Sequence, residues 1–141
     1  ILVHGGGWKK LAGEAVSPGE FKARVAAATG VERVSNYYGM AEQTGCIYME
    51  CPQGHLHASL WSDIVVRRGR DYRPCEPGEE GVLQVLSPLP RSYPGPSLLT
   101  EDLGVLLGED DCPCGRKGKY FKVTGRVPRA EVRGCSDTYE G

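Results

Sequence analysis

An α/β fold is expected of this 141-residue sequence: one strand–helix–strand unit leading into a strand-rich remainder. Three observations carry that expectation. A short apolar run, Ile1-Leu2-Val3, enters a glycine run and is followed by a single well-marked helix. Beyond residue 46 the apolar residues come in short stretches at strand spacing. The 20 Gly and 10 Pro, many for this length, fall mostly in turns between those stretches.

The elements follow in order. Ile1 to His4 reads as a short buried strand running into Gly5-Gly6-Gly7. Ser17-Pro18-Gly19-Glu20 is a helix start, with Ser as cap, Pro at the first helical position and Glu three after the cap. Phe21, Val25 and Ala28 then recur at helical spacing, and Gly30 stops the helix. Val31 to Tyr37 is a strand ending at Tyr38-Gly39. Ile47 to Glu50 and Ala58 to Arg68 read as strands of a second sheet, and Gly81 to Leu86 alternates after the turn Pro77-Gly78-Glu79. Pro88 to Pro96 is too proline-rich for a central strand. Gly104 to Leu107 and Tyr120 to Val123 complete the set. The chain divides into an α/β segment (1–45), a β-rich part (46–123) and a tail (124–141).

Composition narrows the classes. Hydrophobic residues make up 40% and charged residues 25%, values of an ordinary globular domain with a real core. The net charge of -1, with both signs mixed, argues for neither nucleic acid nor a membrane surface. No apolar run approaches the roughly 20 residues of a spanning helix, and no charged-then-apolar leader precedes the first strand. The expected location is cytoplasmic. Because the chain opens inside an apolar run without an initiator Met, it reads as a piece of a longer protein.

Six cysteines stand at 46, 51, 75, 112, 114 and 135. Their even number allows disulfides, and buried free thiols are a second option. A metal site is the sharper reading. Cys112-Pro113-Cys114-Gly115 puts two sulfurs on one turn, and Cys51-Pro52-Gln53-Gly54-His55-Leu56-His57 is a second ligand-rich turn. Three cysteines and one histidine suit a structural, tetrahedral Zn²⁺. The expected ligands are Cys51, His57, Cys112 and Cys114, with His55 replacing His57 if the turn is tighter. Cys46 and Cys75 read as small core residues.

Three motifs occur in order: Asn36-Tyr37-Tyr38-Gly39-Met40-Ala41-Glu42, then Leu99-Thr100-Glu101-Asp102-Leu103-Gly104, then Thr124-Gly125-Arg126. Singly, Tyr38 reads as core, Glu42 as a solvated charge and Asp102 as a turn former. Together they resemble the nucleotide-site motifs of adenylate-forming enzymes. Gly5-Gly6-Gly7-Trp8-Lys9-Lys10, Tyr38-Gly39-Met40-Ala41-Glu42-Gln43, Cys112-Pro113-Cys114-Gly115-Arg116 and Arg133-Gly134-Cys135-Ser136-Asp137-Thr138 look like the LuxE-type acyl-protein synthetases. A Cys-x-Cys-Gly-Arg turn is also similar to phenylacetate-CoA ligases.

The resemblance implies the C-terminal portion of a partial adenylate-forming, acyl-CoA synthetase-like domain. It implies ATP and Mg²⁺ as cofactors, and a fatty or other carboxylic acid as substrate. An acyl reductase or acyl transferase is the implied partner protein. Tyr38 and Gly39 would pack on adenine, Gly5, Gly6 and Gly7 would line its pocket, and Asp102 and Arg126 would hold the ribose. Glu42 would stand near Mg²⁺, and Cys135 would accept the acyl group. A CoA-dependent ligase and a non-catalytic, zinc-stabilised binding module are the competing readings. The sequence departs from the superfamily pattern in lacking the Gly/Ser/Thr-rich phosphate loop and the small lid. Val127-Pro128 stands where the lid hinge usually carries a charged residue. These residues alone are expected to be inactive.

Overall fold

The computed structural model describes residues 1–43, 45–91 and 95–128. Its elements are β1 (Leu2–Gly5), α1 (Pro18–Thr29), β2 (Val34–Tyr38), β3 (Tyr48–Glu50), β4 (Leu56–His57), β5 (Asp63–Arg67), β6 (Glu80–Leu86), β7 (Ser97–Glu109) and β8 (Lys119–Arg126). Two short 3₁₀ turns, Lys9–Glu14 and Ala41–Gln43, flank the helix and second strand. The mixed, sheet-dominated α/β architecture is the expected one.

The helix ends follow from their residues. The Ser17 side chain accepts a hydrogen bond from the Glu20 N–H at 3.2 Å, which satisfies one of the donors a helix start leaves open. Gly30 closes the other end with φ of 73°, a left-handed conformation in which a Cβ is penalised. No residue of α1 is buried, and Ala28 of the expected apolar face is exposed. Phe21 packs on His4 at 4.7 Å and on Trp8 at 6.2 Å between ring centroids. Lys22 reaches Glu50 at 2.8 Å.

The eight strands form one sheet in the order β1-β2-β3-β4-β8-β7-β6-β5, so the strands expected in a second sheet extend the first. Only β1 and β2 are parallel; α1 crosses between them, as a parallel pair requires. Within these residues β1 lies at the sheet edge, with Ile1 78% and Val3 47% exposed.

The stretch Ala58 to Arg68 is not one strand. Ser59 N–H donates to Ser62 Oγ at 2.8 Å and Ser62 N–H donates to the Ser59 carbonyl at 3.2 Å. These local bonds close a turn and compete with the ladder. In the other direction, β7 outgrows its expected four residues to 13. It pairs with β6 on one side and β8 on the other, which carries the polar Thr100-Glu101-Asp102 stretch into the sheet.

The core lies on one face, where Ile64, Val66, Leu83 and Val85 from β5 and β6 meet Tyr48, Leu56 and Phe121. Burial alternates along β6, as its sequence predicts. Cys46 and Cys75 belong to this core, also as expected. A smaller cluster of Cys51, Cys112 and Tyr120 lies apart from it.

Candidate functional site

Tyr38, Asp102 and Arg126 come together, though they lie on three strands. Tyr38 is the last residue of β2, at the carboxyl end of the parallel pair. Its hydroxyl donates to Asp102 Oδ2 at 2.8 Å. Arg126 Nε stands 3.3 Å from Asp102 Oδ1, and Arg126 Nη2 is 2.8 Å from Glu101 Oε2. Burial pushes the Tyr38 hydroxyl well above the usual tyrosine range, and the Asp102 charge and hydrogen bond push it further. Thr100 Oγ1 accepts the Asp102 N–H at 3.1 Å and donates to the Leu83 carbonyl at 2.9 Å. The carboxylate is therefore held from its backbone and from both its oxygens.

The glycines lie at the same end of the parallel pair. Gly5 is the β1 partner of Tyr37, and a Cβ there would stand 2.6 Å from the Tyr37 ring. Gly6 and Gly7 continue from it, and Gly39 follows Tyr38. Ligands of α/β sheets bind outside the carboxyl ends of parallel strands. Glu42 is exposed on the 3₁₀ turn after β2. Cys135, with Arg133 and the rest of its motif, lies outside the described residues.

A second constellation forms where β4 meets β8. One ligand atom from each of Cys51, His57, Cys112 and Cys114 lies within 4.8 Å of the others, a possible Cys/His metal-binding cluster. Cys114 Sγ is 3.4 Å from His57 Nε2. The described cysteines are free thiols, so none of them forms the disulfides that their number allowed. His55, the substitute ligand, stands beside the cluster with Nδ1 3.4 Å from Cys112 Sγ. Burial, aided by Arg116 and His55, lowers the basicity of His57. Burial raises the Cys112 thiol. At Cys114 burial acts the same way, but the Arg116 N–H, the neighbouring thiols and the Arg116 charge outweigh it and lower that thiol.

Three buried residues near these sites escape sequence reasoning. Tyr120 stacks on His55 at 5.1 Å and on His57 at 5.6 Å. Glu50 is buried and accepts from Lys22 Nζ and from the Asn36 N–H, at 2.8 and 2.7 Å. Gln43 is buried with Nε2 donating to the Gly95 carbonyl at 2.9 Å. Only Tyr120 carried a signal, as one of two adjacent aromatics in a strand that must point to opposite faces.

The sheet matches the fold of adenylate-forming enzymes of known structure. MatB from Rhodopseudomonas palustris aligns at 18% identity over 89% of this chain and 25% of its own, with TM-score 0.59. A long-chain-fatty-acid-CoA ligase from Archaeoglobus fulgidus aligns at 19% identity over 91% and 29%, with TM-score 0.57. The o-succinylbenzoate CoA synthetase of Bacillus subtilis, solved with its acyl-adenylate intermediate, aligns at 23% identity over 79% and 31%, with TM-score 0.53. The chain thus spans a quarter to a third of the length of these structures. No curated protein matches it by sequence. The family model "Acyl-protein synthetase, LuxE" matches residues 1–140, and the chain belongs to that family. Among the described residues no helix is long and apolar enough to cross a membrane.

Proposed function

We propose that the protein to which these residues belong activates a carboxylic acid with ATP and passes the acyl group to a cysteine thiol. The observation that carries this is the meeting of Tyr38, Asp102 and Arg126. An aromatic ring, a carboxylate and a guanidinium at the carboxyl end of a parallel pair suit a nucleoside: the ring covers a base, and the carboxylate accepts from ribose hydroxyls. Gly5, Gly6, Gly7 and Gly39 allow the backbone close approach to the base.

In the first step a carboxylate oxygen attacks the α-phosphorus, the bond to the β-phosphate oxygen breaks, and pyrophosphate leaves. Mg²⁺ would supply charge neutralisation on the phosphates, with Glu42 as its nearby carboxylate. In the second step a thiolate sulfur attacks the acyl carbon and AMP leaves. Cys135 is the proposed acceptor, with Arg133 favouring its ionised form. A long-chain fatty acid is the proposed substrate and an acyl reductase or transferase the proposed partner, both by membership of the family. The cytoplasm is the proposed location. The thiolate cluster stands outside this chemistry, because a Zn²⁺ with four protein ligands keeps no open position.

The test is pyrophosphate release by the full-length protein, supplied with ATP, Mg²⁺ and fatty acids of graded length. Release that depends on the acid and is lost in Asp102→Ala supports adenylation; release without any acid dependence overturns it. Covalent labelling with a radiolabelled acid should vanish in Cys135→Ala while pyrophosphate release persists. Labelling that survives this substitution, or product formation that requires coenzyme A, moves the acceptor away from Cys135.

A further inference from the structure

The two turns that carry the sulfurs share one build. Cys51-Pro52-Gln53-Gly54 and Cys112-Pro113-Cys114-Gly115 each close with the glycine N–H donating to the first cysteine's carbonyl, at 2.9 Å in both. Both glycines have positive φ, 78° at Gly54 and 83° at Gly115. The Arg116 N–H donates to Cys114 Sγ at 3.4 Å, a contact that favours an anionic sulfur. Three sulfurs thus converge from two matching turns, and His57 joins them from β4. The remaining nitrogen of buried His57, Nδ1, has no hydrogen-bond partner.

The four donor atoms lie within 4.8 Å of one another, close to the spacing of ligands around a small ion. With Zn–S about 2.3 Å and Zn–N about 2.0 Å, neighbouring ligand atoms of a tetrahedron stand roughly 3.5–3.8 Å apart. The 3.4 Å between Cys114 Sγ and His57 Nε2 is close to such an edge. Three soft thiolates and one imidazole select zinc over the hard cations.

The location gives the cluster its consequence. Cys51 begins the turn from β3 to β4, while Cys112 and Cys114 lie between β7 and β8. They meet at the seam of the sheet, where the β1–β4 half joins the β5–β8 half through the β4–β8 pair. That pair is two residues deep: Leu56 opposite Phe121, and His57 opposite Tyr120. Phe121, on the other face of β8 from the metal ligands, meets Tyr48 edge-on at 5.3 Å and Tyr38 edge-on at 6.1 Å. Tyr38 belongs to one half of the sheet, and Asp102 and Arg126 to the other.

We infer that Cys51, His57, Cys112 and Cys114 bind one Zn²⁺ that clamps the β4–β8 seam and, through Phe121, holds Tyr38 against Asp102. The ion fixes the register of His57 on Tyr120, and so fixes Phe121 one residue on. The clamp acts on the nucleotide site without touching the nucleotide, and this part of the inference rests on the function proposed above. Linkage makes the effect reciprocal, so nucleotide should tighten zinc binding by the factor by which zinc tightens nucleotide.

Elemental analysis of the full-length protein without nucleotide should find one zinc per chain. Replacement with Co²⁺ should give the intense thiolate charge-transfer and visible bands of a tetrahedral sulfur site. Cys112→Ser should lose the metal and Cys75→Ser should keep it. If Cys112→Ser does not fold, Co²⁺ titration of chelator-stripped wild type decides the point. Absence of zinc together with no tetrahedral cobalt spectrum, or full zinc retention by a folded Cys112→Ser, overturns the site. Chelation should speed amide exchange at residues 55–58 and 119–122 and weaken ATP binding on the order of fivefold or more. Unchanged exchange overturns the clamp, as does unchanged ATP affinity. Should the zinc-loaded protein fail to bind ATP at all, the nucleotide reading falls, while the metal count and the exchange data still judge the clamp.

Discussion

Asp102 faces Arg126 across the β7–β8 ladder because β8 carries one extra residue just before that point. Leu103 pairs with Gly125, yet its neighbour Gly104 pairs with Val123, leaving Thr124 without a partner. A bulge of this kind re-aims the side chains beyond it, and here it delivers the guanidinium to the carboxylate.

Asp102→Asn should therefore weaken ATP binding more than it weakens the fold. It removes the charge from the carboxylate proposed to accept the ribose hydroxyls, where charge-assisted bonds contribute about 1.5–3 kcal/mol. The partly exposed pairing with Arg126 contributes less to the fold. Isothermal titration with ATP should show a loss of roughly ten- to a hundredfold, with the melting temperature nearly unchanged. An unaltered affinity would place the nucleotide elsewhere.

Alkaline stability should reflect the buried Tyr48 and the half-buried Tyr38. Burial raises Tyr38, aided by Asp102, and burial raises Tyr48, aided by Cys46. An unfolded tyrosine ionises near pH 10. A folded-state value raised above this gives stability that is complete below about pH 10 and falls as pH rises beyond it. Tyrosine absorbance and unfolding followed together against pH check this. Tyr38 and Tyr48 should titrate only as the fold is lost, and Tyr38→Phe should flatten the decline.

Two glycines give opposite expectations. A Cβ at Gly81 would lie 2.3 Å from the Arg67 carbonyl oxygen, whereas one at Gly69 meets nothing within 4 Å. Gly81→Ala should destabilise by about 1–3 kcal/mol through overpacking against backbone. Gly69→Ala should be neutral, or stabilise by up to about 1 kcal/mol through the unfolded chain. Urea unfolding of both variants checks the contrast.

Glu50 is the third structural test. Replacing it by Leu leaves the Asn36 N–H without its acceptor and Lys22 without its partner. An orphaned buried donor costs about 1–3 kcal/mol; the Lys22 pair adds less, being partly open to water. Thermal unfolding should show the loss, and Lys22→Met alone should show much the smaller share.

What the sequence disclosed depended on how local the cause was. The helix caps at Ser17 and Gly30 are local, and the structure keeps both. The alternation of β6 was legible for the same reason. The extent of β7 was not: Thr100 to Asp102 looks polar and turn-like alone, and only pairing on both flanks draws it into a strand. The cysteines and His57 were legible as a set because metal-ligand chemistry restricts the residue types. Tyr120, Glu50 and Gln43 were hidden because their roles come from partners distant in the chain.

The two borders of the sheet differ in how they meet other molecules. The β5 border carries Arg67, bridged to Pro74, and proline and arginine discourage a foreign strand from adding on. The opposite border offers Ile1, Leu2 and Val3 with neither guard. Turbidity in concentrated solutions of these 141 residues should therefore start from the first five, and a lysine in place of Val3 should keep such solutions clear.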